Sequence, residues 1–496
     1  MTPVDQPAGP AYPAPAMNTH PNRTPAPSDD TLARLAAVVG NPNALTAPED
    51  MAAYLTEQRG LFGARAAMVL RPGSTEEVSA IMRIAHETGT AIVPQGGNTG
   101  LVGAQVPFEG GNEVILSLGR LNRIREVDAA DNTMTVEAGC ILANIQRAAD
   151  EADRLFPLSL GSEGTCQIGG NLSTNAGGTG VLAYGNARDL VLGLEVVLAD
   201  GRVWNGLRKL RKNNTGYDLK QLFLGAEGTL GIVTAAVLKL FPKPRDHATA
   251  FVAIPAPRAA LGLLALANAM SGGGVVALEI LPRIGLDFTI RHGGARDPLG
   301  EPHDWYVLIE LAGGEEEGAL QPLMEDILAR AFEEGLVLDA AIAASGTQRR
   351  ELWHIRDLMS EVQKPEGGSI KHDVSVPVSH IPAFLDEATA AVEALIPDAR
   401  VVAFGHIGDG NIHFNVSQPV GADTQAFLAR WDEVNRTVHD IVLGHGGSVS
   451  AEHGIGRLKR HIMPEIKDPL ELEMMRGLKQ LFDPDGILNP GKMLPD

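Results

Sequence analysis

Apolar positions along the chain follow two periods, and each predicts a different element. Between Thr75 and Thr88, Val78, Ile81, Met82 and Ile84-Ala85 gather on one side at helical spacing. Ser74 stands just before them, where an N-cap accepts an orphan N–H. The same spacing predicts helices over Leu142–Glu151, Thr424–Leu443 and Pro469–Phe482, and Asp30 is placed to cap another running through Val39. Shorter apolar runs predict strands at Ala91–Val93, Glu113–Leu118, Thr133–Ala138, Leu192–Leu198 and Ile232–Leu240. Pro242 and Pro244 then interrupt the pattern. Beyond them, strands such as Ala250–Ile254 and Trp305–Leu311 and a helix at Gln321–Glu334 follow in a new order, with no fixed-period repeat. The pattern implies an α+β chain in parts: residues 31–245, residues 246–423, and a helical C-terminal segment, 424–496. Residues 1–30 hold eight prolines, little apolar content and no basic stretch leading into an apolar one. They are expected to form a disordered tail without a secretory address.

Composition narrows the chemistry. The 496 residues carry 41 Lys and Arg against 61 Asp and Glu, a formal charge of -20. That balance excludes a broad basic face for nucleic acid, and 4% aromatics leave little for base stacking. The uncharged window Ala259–Leu278 contains Asn268, Ser271 and three successive glycines, so a helix, a turn and a strand from Val275 explain it better than a membrane span. Cys140 and Cys166 form no CxxC and no disulfide framework, which fits a reducing, cytoplasmic location. Glycine is abundant, 56 residues, so many turns or close backbone approaches are expected.

The glycines cluster. Pro94-Gln95-Gly96-Gly97-Asn98-Thr99-Gly100 follows a strand and can aim several N–H groups at an anion. It has no Rossmann spacing, and alone it is as readily a plain turn. A second block runs through Gly161, Ser162, Glu163, Gly164 and Thr165, Gly169-Gly170-Asn171, Thr174-Asn175, and Gly177-Gly178. A third holds Glu227-Gly228, Gly231 and Ile232. Three such loops can wrap a long phosphate-bearing ligand if they converge, and spacing does not show that they do.

A polar run, Gly405 to Asn415, contains His406 and His413, and Ser450 to Gly456 adds Glu452 and His453. Residues 411–416 alternate, so Ile412, Phe414 and Val416 face a core while His413 and Asn415 face the other way. His406 is placed on the loop before that strand. Two His and one Glu from these segments suit an open, catalytic divalent-metal site, with a hydrogen-bonded polar network as the alternative. Cations able to meet an anionic substrate include Arg356, on a helix read over Leu352–Val362 where Ser360 shares its face, and Lys371, in the alternating run Ser369–Val376. Each is equally at home as a surface charge.

The segments PQGGNTG at 94–100, SEGTCQIGGNLSTNAGG at 162–178 and NNTGYDLKQLFLGAEGTLGIVT at 213–234 resemble the flavin-binding domain of the vanillyl-alcohol oxidase / p-cresol methylhydroxylase superfamily. GHIGDGNIHFN, AEHGIG and LNPGK resemble the D-2-hydroxyglutarate dehydrogenases and their D-lactate dehydrogenase relatives, over roughly residues 50–496. The resemblance implies a p-cresol methylhydroxylase-type FAD-binding domain, a second α+β substrate (cap) domain and a C-terminal segment, with Asn489, returning to the flavin. Asn98 occupies a position where relatives that attach FAD covalently carry His, so non-covalent FAD is implied. Carried over, His406, His413 and Glu452 are zinc (or other divalent) ligands, Asn415 contacts substrate and His453 is the base. Arg356, Ser360 and Lys371 bind the substrate carboxylate, Ser360 standing where those relatives have Thr. The expected reaction is oxidation of D-2-hydroxyglutarate by hydride transfer to flavin N5. D-lactate or glycolate oxidation is the alternative, and a zinc hydrolase or a non-catalytic flavin subunit is a more distant one. The electron acceptor is open among O₂, a quinone, a soluble flavoprotein such as an electron-transfer flavoprotein, and a dye, and a homodimer is one arrangement left open.

Overall fold

A computed structural model describes residues 25–495. The expected tail falls outside this span for residues 1–24. Residues 25–28 lead into a helix, Asp29–Val39, capped by the Ser28 side chain through the Thr31 N–H rather than by Asp30. Two compact units divide the described chain. One holds residues 25–177, 185–243 and 452–495, and the other holds residues 178–184 and 244–451. The region 424–496 is therefore shared, its last part joining the first unit.

In the first unit a four-stranded sheet has the order Ala44–Leu45, Met68–Leu70, Val114–Ser117, Ile92–Gln95, the last three parallel. Parallel strands are covered on both faces and so read as continuous apolar runs, as Met-Val-Leu at 68–70 does. The helix Thr75–Thr88 forms as its spacing predicts. Ser74 caps the Glu77 N–H, Gly89 closes the far end at φ 66°, and Val78, Ile81, Met82 and Ala85 bury one stripe against Leu35, Leu70 and Leu116. Each large side chain so buried contributes about 1.5–3 kcal/mol. The chain's end completes this core: Ile487 and Leu488 are buried in it, Leu488 bridges Ile92 in parallel, and the Ile92 N–H donates to the Ile487 carbonyl. A five-stranded antiparallel sheet, Ile124–Asp128, Thr133–Glu137, Ile232–Lys239, Val191–Val197, Val203–Gly206, makes up the rest of the unit's main framework.

The second unit is built on seven antiparallel strands in the order Asp339–Ile342, Asp246–Ile254, Trp305–Gly313, Val275–Pro282, Arg400–His406, Asn411–Ser417, Ser369–Ser375. Phe251, Leu281, Leu308, Val402 and Phe404 form a core with Leu286 and Phe288 of the helix Arg283–Gly293 and with Leu352 and Ile355 of the helix Gly346–Leu358. Pro257–Ser271, Leu320–Glu333 and Trp431–Gly444 pack on strands of the same sheet. The uncharged window at 259–278 is a helix ending at Gly272 followed by the strand from Val275, and among the described residues no helix is long and apolar enough to cross a membrane. The single helix expected over Thr424–Leu443 is two, Thr424–Leu428 and Trp431–Gly444, separated at residues 429–430.

Candidate functional site

The three glycine loops of the first unit do converge. A methyl group on Gly97 would lie 2.2 Å from the Thr165 carbonyl oxygen and 3.0 Å from Cys166 Cα, so the first loop rests directly on the backbone of the second. The third loop is tied to the second by Gly225 N–H to Leu172 O, 3.0 Å, and Glu227 N–H to Ser173 O, 2.8 Å. It meets the first where Gly228, at φ 70°, faces Pro94. The C-terminal return joins them, Asn489 Nδ2 donating to the Glu227 carbonyl at 2.7 Å. Asn98, Asn175, Glu227 and Asn489 all hold left-handed backbone angles, φ 43° to 55°, a cost that surrounding contacts must offset.

Several side chains here brace the loops. Gln95 Nε2 donates to the Tyr54 and Gln105 carbonyls, and Asn98 Nδ2 to those of Ala53 and Thr56. Glu163 accepts from Gln146. Buried oxygens of Asn98, Gln167, Asn171 and Asn489 have no protein partner, and buried polar atoms of this kind are normally satisfied. They lie on the first loop, the second block and the return, and they suit a long, polar ligand such as FAD. The second block also contains a short helix, Ile168–Ser173, which its glycines concealed in the sequence. Cys140 and Cys166 are buried and unpaired.

Glu227 aims its carboxylate at the segment after His453. It accepts the N–H groups of Ile455 at 2.7 Å and Gly456 at 2.8 Å. Burial raises this carboxyl from 4.5 to about 7, against the pull of those two donors. Between the two values the folded chain holds more protons than the unfolded one, so stability falls as pH rises from about 4.5 to about 7. The full loss is on the order of 3 kcal/mol. The wild-type melting temperature is expected to drop over that range more steeply than that of Glu227→Gln. Equal slopes in a thermal-melting series would show that Glu227 titrates as in the unfolded chain.

In the second unit, strand register assembles a polar row on one face of the sheet. Glu279 pairs with His406, Phe404 with His413, His413 with Asp373, and Asn415 with Lys371. Cross-strand partners share a face, so these side chains are neighbours. His406 ends the strand Arg400–His406, and does not lie on a loop as the sequence suggested. Its ring centroid is 5.7 Å from that of His413, whose Nδ1 is 3.9 Å from the Asp373 carboxylate. Ile412, Phe414 and Val416 are fully buried on the opposite side, as alternation requires.

Arg356 enters from the helix Gly346–Leu358. That helix begins six residues before the expected Leu352, because Ser345 caps it through the Gln348 N–H. It also ends before Ser360, which lies exposed in a turn, so Arg356 and Ser360 do not share a helical face. The Ser360 carbonyl accepts from Lys371 Nζ at 3.0 Å. Arg356 Nε donates to Glu279 at 2.7 Å. Burial alone would raise the Glu279 carboxyl, but the contacts with His406 and Arg356 outweigh it and hold it below the usual carboxylate range. Sequence reasoning passed over Glu279, although a charge inside the apolar strand Val275–Pro282 is itself a signal. Glu452 and His453 belong to the first unit, half-buried in a bend. The Glu452 carboxylate lies against Gly177, with Oε1 2.5 Å from where a Cβ would stand.

Two family models cover most of the chain: an FAD binding domain over residues 66–206 and the C-terminal domain of FAD linked oxidases over residues 243–493. Mitochondrial D-2-hydroxyglutarate dehydrogenase of Bos taurus is 39% identical over 472 residues, 94% of this chain and 84% of that protein. D-2-hydroxyglutarate dehydrogenase of Xanthomonas citri pv. viticola is 38% identical over 450 residues, 90% of this chain and 93% of that one. Among solved structures, p-cresol methylhydroxylase with substrate bound superposes at a TM-score of 0.73 with 17% identity, covering 94% of this chain and 97% of its own. Alkyldihydroxyacetonephosphate synthase does so at 0.70 with 18% identity, covering 97% and 88%. At those identities the solved structures speak for the fold alone, whereas the two dehydrogenases are similar along nearly their whole length. Converging glycine loops, matching domain models and full-length relatives lead to one conclusion: the chain belongs to the D-2-hydroxyglutarate dehydrogenase family of FAD-linked oxidases and is an FAD-dependent oxidoreductase acting on CH–OH donors.

Proposed function

We propose that the protein oxidises D-2-hydroxyglutarate to 2-oxoglutarate with non-covalent FAD and a divalent metal, zinc being the ion that His and Glu ligands suit best. The polar row from Glu279 to Lys371 carries this reading, because it gathers metal-type and anion-binding side chains on one sheet face. The proposed ligands on this sheet are His406 and His413, and the family resemblance implies Glu452 as the third. A metal held there would supply acidification of the substrate hydroxyl, and FAD held by the glycine loops would supply the hydride acceptor. His453 accepts the hydroxyl proton. Arg356 and Lys371 meet the substrate carboxylates, with Asn415 beside Lys371 and Ser360 at the edge of the group. A chain at -20 needs such local cations to hold a dianion.

Charged hydrogen bonds contribute on the order of 1.5–3 kcal/mol each. Arg356→Gln should therefore lower kcat/KM for D-2-hydroxyglutarate about 10- to 200-fold. The D-lactate value, which involves no second carboxylate, should change far less. Chelation should abolish turnover while the flavin colour stays, and added Zn²⁺ should restore it. Anaerobic mixing decides between the readings. Rapid bleaching by D-2-hydroxyglutarate and slow bleaching by D-lactate are expected. Bleaching by D-lactate alone would remove the two-cation clamp, and full turnover in the presence of chelator would remove the metal.

A further inference from the structure

One buried carboxylate touches both kinds of group that this chemistry needs. Glu279 is 1% exposed, and its two oxygens have different partners. Oε1 lies 2.5 Å from Nδ1 of His406, and Oε2 accepts from Nε of Arg356 at 2.7 Å. Arg356 closes the triangle, its Nη2 standing 3.2 Å from Nε2 of His406. For a neutral His406 ring these contacts suit one tautomer. A guanidinium only donates, so Nε2 is the acceptor in that pair and carries no hydrogen. The hydrogen of the neutral ring is then on Nδ1, where Glu279 accepts it. That tautomer carries on Nε2 the lone pair that a metal would take in place of the Arg356 N–H.

We propose that Glu279 is a positioning residue for the oxidation: it sets the tautomer and ring orientation of His406 toward a divalent metal, and from its other oxygen it holds Arg356 toward the substrate carboxylate. The proposal rests on the metal-assisted reading above. Stability alone is a poor reason for the arrangement, since well-packed apolar residues often serve a core as well as or better than a buried ion pair. The strand around Glu279 is apolar on both sides, Val275 to Leu278 and Ile280 to Pro282. A second histidine shows the contrast. His372, on the other face of the sheet in the strand Ser369–Ser375, directs Nδ1 at the Phe414 backbone carbonyl.

The substitution Glu279→Gln tests the role because an amide offers one acceptor and one donor where two N–H groups point in. Either Arg356 faces an N–H, or His406 turns to the tautomer with its hydrogen on Nε2. Zinc affinity is measured on the flavin-loaded, metal-stripped chain by competition with a chromophoric chelator. Glu279→Gln is expected to bind zinc about 10- to 100-fold more weakly, with flavin content unchanged. The double variant Glu279→Gln/Arg356→Met leaves only His406 pointing at the amide carbonyl and should recover most of that loss. A residue acting through general stability would not give the recovery, and the double variant also serves if the single one folds poorly. Wild-type zinc affinity in Glu279→Gln, or no recovery in the double variant, overturns the positioning role alone. A wild-type chain that binds no zinc overturns the metal reading, and the role with it.

Discussion

The Gly97→Ala chain will purify without flavin. A methyl at this position meets backbone, not a movable side chain: the Thr165 oxygen at 2.2 Å, its carbonyl carbon at 3.1 Å and Cys166 Cα at 3.0 Å. The two loops must separate by about 1 Å to admit it, which spreads the cradle of N–H groups that the cofactor's phosphates need. The second loop is itself pinned, since Gly169 N–H donates to the Ala138 carbonyl at 2.7 Å, so the separation cannot spread into slack chain. The visible flavin absorbance relative to protein, before and after added FAD, is the measurement. Gly300→Ala, at a position with no atom within 4 Å of the new methyl, is the control and should stay yellow. A yellow Gly97→Ala chain would mean that the packing of the first two loops is not what binds the cofactor.

His453→Ala should give the opposite appearance and a large loss of activity. The protein stays yellow, because the glycine loops and Asn489 are untouched, but flavin reduction by D-2-hydroxyglutarate slows by about 10²- to 10⁴-fold, the usual contribution of a general base. The segment that carries His453 is held independently of that side chain by the Glu227 carboxylate on the Ile455 and Gly456 N–H groups. Removing the imidazole should therefore leave the local backbone in place. Rapid mixing under anaerobic conditions reads the reduction rate directly, and a rate near wild type would take the base away from His453.

Local signals in the sequence proved dependable where a segment's contacts are local. The helix Thr75–Thr88 was legible to the residue because Ser74, the apolar stripe and Gly89 all lie within it or beside it. Alternation placed His413 and Asn415 on one face because a strand's period is 2, whatever its neighbours. Ends were less legible. Ser28 and Ser345 are N-caps that a search for the first apolar residue passes over, and the break at residues 429–430 carries neither Gly nor Pro. Pairings were not legible at all. His406 and Glu279 are 127 residues apart, and Glu227 and Gly456 are 229 apart. Only sheet register and loop packing bring such groups together, and a single sequence does not state either.

The bridge between Leu488 and Ile92 has a consequence for the order in which the protein is made. Strand Ile92–Gln95 and the loop after it leave the ribosome early, yet the residues that fill out their core, Ile487 and Leu488, come about 400 positions later. At roughly 5–20 residues per second, the flavin-binding half waits on the order of 20–80 s for its last pieces. Through that interval its apolar core stays open at the seam those two residues close. A nascent chain stalled before residue 487 should be captured by chaperones and fail to retain FAD, whereas a released one should do neither.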